Sequence, residues 1–164
     1  MIQQPPEIVV QPDAFRVSKE SSLLSCELRG ALAVCVYDDT QAAGGLLHLR
    51  YVAIANNQPL DLTDNTLSSD LLLMDRFCKE LRQTGARKQS WRVSIFGHTP
   101  ELPGMEGPAA TVIDLSKAYF ADARLPVECK EFNRPFGLLV RFDPRAGHIW
   151  VNSSTDVRQA APLG

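Results

Sequence analysis

Seven uncharged residues in a row, Ala31-Leu-Ala-Val-Cys-Val-Tyr37, constrain this chain more than any other segment. The run is continuous rather than alternating, the pattern of an element buried on both faces. Periodicity alone leaves strand and helix open. The segments around it read mostly as strands. Glu7–Val10 and Ala14–Ser18 flank the turn-forming trio Gln11-Pro12-Asp13. Leu23–Cys26 precedes the run, Asp38–Gly44 turns after it, and Gly45–Ala55 returns as a long strand. Gln89–Phe96 alternates, with Trp91, Val93 and Ile95 on one face, and stops at Gly97. Val127–Glu131 and Leu138–Phe142 follow, and Asp143–Gly147 turns into His148–Val151.

Two helices stand out. Leu71, Met74, Phe77, Cys78 and Leu81 recur at three- and four-residue spacing and share one face, predicted to pack on a core. Ser68 or Ser69 is the expected cap, with Asp70 favourable in the first turn and Gly85 ending the helix. A second, shorter helix is predicted over Ile113–Ala123. Asn56–Asn65 and the proline-rich Pro100–Pro108 read as loops.

The 164 residues suit one domain, predicted over 1–152, with 153–164 a flexible C-terminal tail. A formal net charge of -2 argues against a basic nucleic-acid-binding patch. No apolar run approaches the ~20 residues that span a bilayer, and the opening residues lack the pattern of a secretory leader. No membrane insertion and a cytoplasmic location are the expectations. Cys26, Cys35, Cys78 and Cys129 lack metal-ligand spacing, so no metal or cofactor is predicted, and Cys35 and Cys78 read as small buried hydrophobes. His98 and His148 have no nameable partner and are predicted at the surface. Trp91 and Trp150 read as core or edge aromatics.

Between Ser25 and His48 run Ala33-Val-Cys-Val-Tyr-Asp38, then Gly44-Gly45 and His48. In these residues the chain resembles CheD, the chemoreceptor glutamine deamidase family. Thr84–Arg87 matches the family's helix end. Val140, Phe142, Asp143, Pro144, Gly147, Ile149 and Val151 keep its last strands. The likeness runs roughly from Glu7 to Val151. It implies a strand for the apolar run and a layered α/β/β sandwich, with mixed, mostly antiparallel strands and two main helices.

The resemblance also implies a chemistry. In the family a thiolate attacks a receptor glutamine amide, a histidine moves the proton, and backbone N–H groups of a glycine-rich turn hold the oxyanion. Aligned without a gap, the histidine falls on His48 and a hydroxyl-bearing threonine on Ser25. The Gly-Ser-Cys turn falls on Arg29-Gly30-Ala31, so a methyl group stands where the sulfur belongs. An alternative register inserts Glu27–Gly30 and makes Cys26 the nucleophile. Other departures are His98-Thr99 for Gly-Ala and Asn133-Arg134 for a glycine pair. Without a thiol beside it, His48 also fits a hydrogen-bonded core histidine. The expected function is a catalytically silent CheD-like protein that binds a chemoreceptor cytoplasmic domain or a CheC-like phosphatase. The competing readings are an active deamidase using Cys26 with His48, or reuse of the fold outside chemotaxis.

Overall fold

The computed structural model describes residues 5–51, 65–85, 87–121 and 125–154. Among them run β1 (Glu7–Val9), β2 (Ala14–Ser18), β3 (Leu23–Leu28), β4 (Ala31–Asp38), β5 (Ala43–Arg50), α1 (Asn65–Gln83), β6 (Trp91–Thr99), α2 (Glu106–Ala121), β7 (Val127–Asn133), β8 (Leu138–Phe142) and β9 (Ile149–Ser153). A five-stranded sheet has the order β2-β5-β4-β6-β7, and a four-stranded sheet the order β1-β3-β8-β9. The β1–β3 and β6–β7 pairs are parallel, and the other pairs are antiparallel.

The apolar run is the central strand β4, and its two faces explain why it does not alternate. Leu32, Val34 and Val36 pack under the helices with Met74, Phe77, Leu81, Val112 and Phe120. Ala31, Ala33 and Cys35 face the four-stranded sheet with Leu24, Cys26, Leu28, Val140 and Phe142. Helices, large sheet and small sheet therefore form three layers, the predicted α/β/β sandwich. Each fully buried Leu or Val on β4 stabilises the fold by roughly 1.5–3 kcal/mol.

The glycine pair Gly44-Gly45 fits this layering. A Cβ on Gly45 would lie 2.6 Å from Phe77 Cε1, and one on Gly44 would lie 2.9 Å from Phe142 Cζ. The helix layer and the small sheet both press an aromatic ring onto β5 here. The motif is a packing device of the sandwich.

Both helices start earlier than the sequence predicts. Helix α1 begins at Asn65, so Ser68 and Ser69 lie inside it and do not cap it. Asp70 consequently falls beyond the first turn. It joins the buried stripe Asp70, Met74, Phe77 and Leu81, while Leu71 is exposed. The helix ends as expected, with Gly85 at φ 94° donating its N–H to Arg82. Helix α2 begins at Glu106 rather than Ile113 and takes in Pro108, which a first turn tolerates because the N–H that proline lacks would have no helical partner there. The Tyr119 hydroxyl donates to Asp75 Oδ1 at 2.5 Å and links the two helices. The predicted strand over Gly45–Ala55 ends at Arg50. Its residues 52–55, most of the Asn56–Asn65 loop and tail residues 155–164 lie outside the described residues. Strand β9 extends to Ser153, and the Ser154 N–H donates to the Gly137 carbonyl at 2.9 Å.

Candidate functional site

Strand register brings the residues singled out by sequence to one end of β4. His48 on β5 is the direct partner of Ala33, and Arg50 is the partner of Ala31. Ala31 and His48 are therefore diagonal neighbours on the inter-sheet face, about 7 Å apart between Cβ atoms for such pairs. His48 is 3% exposed. Its Nδ1 lies 3.0 Å from the Val10 carbonyl. A carbonyl only accepts, so Nδ1 carries the proton and Nε2 keeps its lone pair. Burial, the largest influence, holds the imidazole below its ordinary pKa, so it is neutral at physiological pH.

Ser25, the residue aligned with the family's hydroxyl, lies on β3. Leu24, Cys26 and Leu28 point into the inter-sheet core, so alternation turns the Ser25 side chain to the other face of β3. What Ser25 contributes is its carbonyl, which accepts the Val10 N–H at 2.7 Å. Val10 thereby links Ser25 to His48 through the backbone. A main-chain carbonyl leaves no mark in a sequence, and Val10 is missed there.

Cys26 does reach the inter-sheet layer, in the same cluster as Ala31 and Ala33. Burial pushes its thiol up to about 12. A nucleophilic cysteine needs the opposite shift, which a nearby cation, a helix N-terminus or a partner base provides. Cys35 is buried beside it, and burial raises its thiol well above the usual range. All four cysteines are unbridged.

The surface placement predicted for His98 is wrong, because the residue is 1% exposed. On β6 it stands directly opposite Ala31, on the face that His48 shares. The Gly30 backbone N–H donates to His98 Nδ1 at 3.2 Å. Nδ1 therefore holds the lone pair, and Nε2–H donates to the Arg134 carbonyl at 3.1 Å. Gly30 itself turns the chain at φ 64°, a conformation that favours glycine. One donor of the turn aligned with the oxyanion-binding turn is thus occupied by an imidazole. His98 and Arg134 both fall where the CheD pattern has glycine. His148 is exposed as predicted, Trp91 lies in the core and Trp150 is 45% exposed.

Among the described residues no group of three or more His, Cys, Asp or Glu side chains is placed to hold a metal ion. No described helix is long and apolar enough to cross a membrane.

No family model matches the chain. Curated proteins do. A probable chemoreceptor glutamine deamidase CheD of Ralstonia nicotianae is 23% identical over 161 residues, covering 94% of this chain and 66% of its own length. The corresponding protein of Ralstonia pickettii is 22% identical, with 94% and 65% covered. A probable chemoreceptor glutamine deamidase CheD 2 of Dechloromonas aromatica is 25% identical over 142 residues, with 84% and 70% covered. The chain is CheD-like.

This CheD-like chain spans about two thirds of the length of the first of these relatives, and its identity to them marks it as divergent. Among solved structures, the Bacillus licheniformis hypothetical protein YfiH aligns over 73% of this chain and 51% of its own, with a TM-score of 0.48 and 11% identity.

Proposed function

We propose that this CheD-like protein does not deamidate, and instead binds a chemoreceptor cytoplasmic domain or a CheC-like phosphatase in the cytoplasm as a regulator of chemotaxis signalling. The observation that carries the reading is the surroundings of Ala31. A methyl group stands diagonal to His48 and opposite His98, and the His98 ring takes the N–H of Gly30. A methyl group forms no acyl intermediate, and removing a nucleophile costs on the order of a million-fold in a hydrolase. The neighbouring changes at His98 and Arg134 suit a site repacked for stability once turnover was no longer required. Fold and binding surfaces outlast such a change, because packing and chemistry are set by different residues.

The competing reading uses Cys26 with His48. The raised thiol counts against it.

The test is incubation of the protein with a receptor cytoplasmic fragment, followed by mass analysis of its glutamine side chains. The expected result is retained binding with no conversion of amide to acid. Conversion abolished by Cys26→Ala would establish the competing reading. Conversion untouched by that substitution would overturn both nucleophile assignments.

A further inference from the structure

Strand β7 is an edge of the five-stranded sheet. Among the described residues its one strand neighbour is β6, and its other side is unpaired. The Val93 N–H donates to the Pro126 carbonyl at 3.1 Å. Alternate residues of a parallel ladder address the same neighbour, so Glu128 and Lys130 turn their backbone groups toward β6. Val127, Cys129 and Glu131 turn theirs outward. The side chains alternate as well. Glu128 and Lys130 lie on the face toward the small sheet, where they line a cleft with Ile149 and Val151. Val127 and Cys129 lie on the face toward α2, packed against the core beneath it.

Charges on an edge strand usually keep other strands away. Here their order makes one arrangement favourable. In an antiparallel pair of two β7 strands, related by a two-fold axis at Cys129, Glu128 faces Lys130 of the second copy and Lys130 faces Glu128 of the second copy. These are the closely spaced positions of the ladder, while Cys129 exchanges both backbone hydrogen bonds with its own counterpart. An axis at Glu128, Lys130 or Glu131 instead sets a charge against itself. The helix layer above repeats the pattern. Along α2, Ala110, Asp114, Lys117 and Ala121 recur at three- and four-residue spacing and are all exposed. Tyr119, which bonds to Asp75 of α1, lies on the opposite flank of α2, so this stripe runs along the side away from α1. Burial raises the Cys129 thiol, and the nearby charges of Glu131, Lys117 and Asp114 act on it. The middle of the stripe and the middle of the strand therefore coincide.

We infer that the protein forms a two-fold dimer through β7, in which the five-stranded sheet continues across the axis and α2 packs beside its own copy. The occupant of this edge is a second copy of the same chain, because the chain itself supplies both members of every opposite-charge contact, as an isologous interface requires. Between the antiparallel helices Asp114 opposes Lys117 and Ala110 opposes Ala121, and the small alanine side chains let the helices approach closely. The same charges that make one register complementary penalise the others, so they serve specificity rather than simple exclusion. The dimer does not depend on the receptor-binding reading above.

The test is sedimentation equilibrium of the full chain. The unaltered protein is expected to associate into dimers by ~100 µM. Lys130→Glu sets two pairs of like charges across the axis and is expected to weaken association about tenfold or more, as is Glu128→Lys. Combining Glu128→Lys with Lys130→Glu recreates two opposite-charge pairs and is expected to return the affinity to within about threefold of the unaltered chain. Both positions are exposed, and circular dichroism checks that each variant folds. A protein that stays monomeric across this range overturns the inference. Dimers that neither single substitution weakens lie at another surface, which also overturns it. Weakened single variants without recovery in the double reversal overturn the register with its axis at Cys129.

Discussion

Gly30 and His98, 68 positions apart in the chain, are joined by a backbone N–H donated to an imidazole nitrogen at 3.2 Å. The bond fixes His98 as the neutral ring protonated on Nε2, because a second bond runs from that atom to the Arg134 carbonyl. Protonating Nδ1 would break the contact with the turn. The ring ties the β3–β4 turn to the segment after β7, directly opposite Ala31.

That tie predicts the result of trying to restore the chemistry. Ala31→Cys alone is expected to leave glutamine conversion at background, because the turn donor is occupied and a buried thiol stays protonated. Ala31→Cys with His98→Gly frees the Gly30 N–H and is expected to raise conversion above the single variant, read by mass analysis of a receptor fragment. Equal activity of the two variants would show that His98 does not obstruct the site. The His98→Gly change should itself destabilise the fold by about 2–4 kcal/mol, through an unfilled cavity and unpaired backbone groups, measured as a lower urea midpoint.

Close packing on β5 predicts a second outcome. Gly45→Ala places a methyl group 2.6 Å from Phe77 Cε1 and 2.9 Å from the Arg16 carbonyl. The expected loss is about 1–3 kcal/mol in chemical denaturation, with Phe77→Leu in the same chain recovering only part of it because the carbonyl contact remains. A neutral Gly45→Ala substitution would contradict the packing explanation for the glycine pair.

Two buried groups give opposite pH dependences. His48, with Asp13 and Arg50 as its charged neighbours, has a depressed pKa. Its contribution to stability is intact above the unfolded value near 6.5 and is lost as pH falls through the lower folded value. Asp70, facing Asp13, is raised from 3.8 to about 6. Its contribution is intact below 3.8 and is lost as pH rises through about 6. Thermal melts should therefore show Asp70→Asn stabilising the protein at pH 7.5, on the order of 1–2 kcal/mol, with little effect near pH 4. His48→Gln should flatten the decline below pH 6.5. An Asp70→Asn variant that is less stable at pH 7.5 would mean the carboxylate has a donor after all.

The apolar run, the turns around it and the core face of α1 from Met74 to Leu81 were legible because burial on two sides, glycine turns and helical spacing are local signals. The starts of both helices were not. Asn65 and Pro108 are poor helix formers in isolation, and packing of the residues that follow overrides them. Asp70 looked like a charge favouring the helix start because the true start lies five residues earlier. The site was half legible. His48 and Ala31 share a short motif, whereas His98, 50 positions beyond His48, reaches them through strand pairing. The β3 alternation that turns Ser25 away from Cys26 was available in principle. The Val10 carbonyl was not, since every residue has one.

Strand β4 has paired neighbours on both edges and a packed layer above and below. Its amides open to solvent only when the whole sandwich comes apart, so they should be the slowest to exchange with deuterium and should report global unfolding. Anything that engages the rim of such a slab meets a rigid platform, and any adjustment on docking falls to the loops and side chains around it.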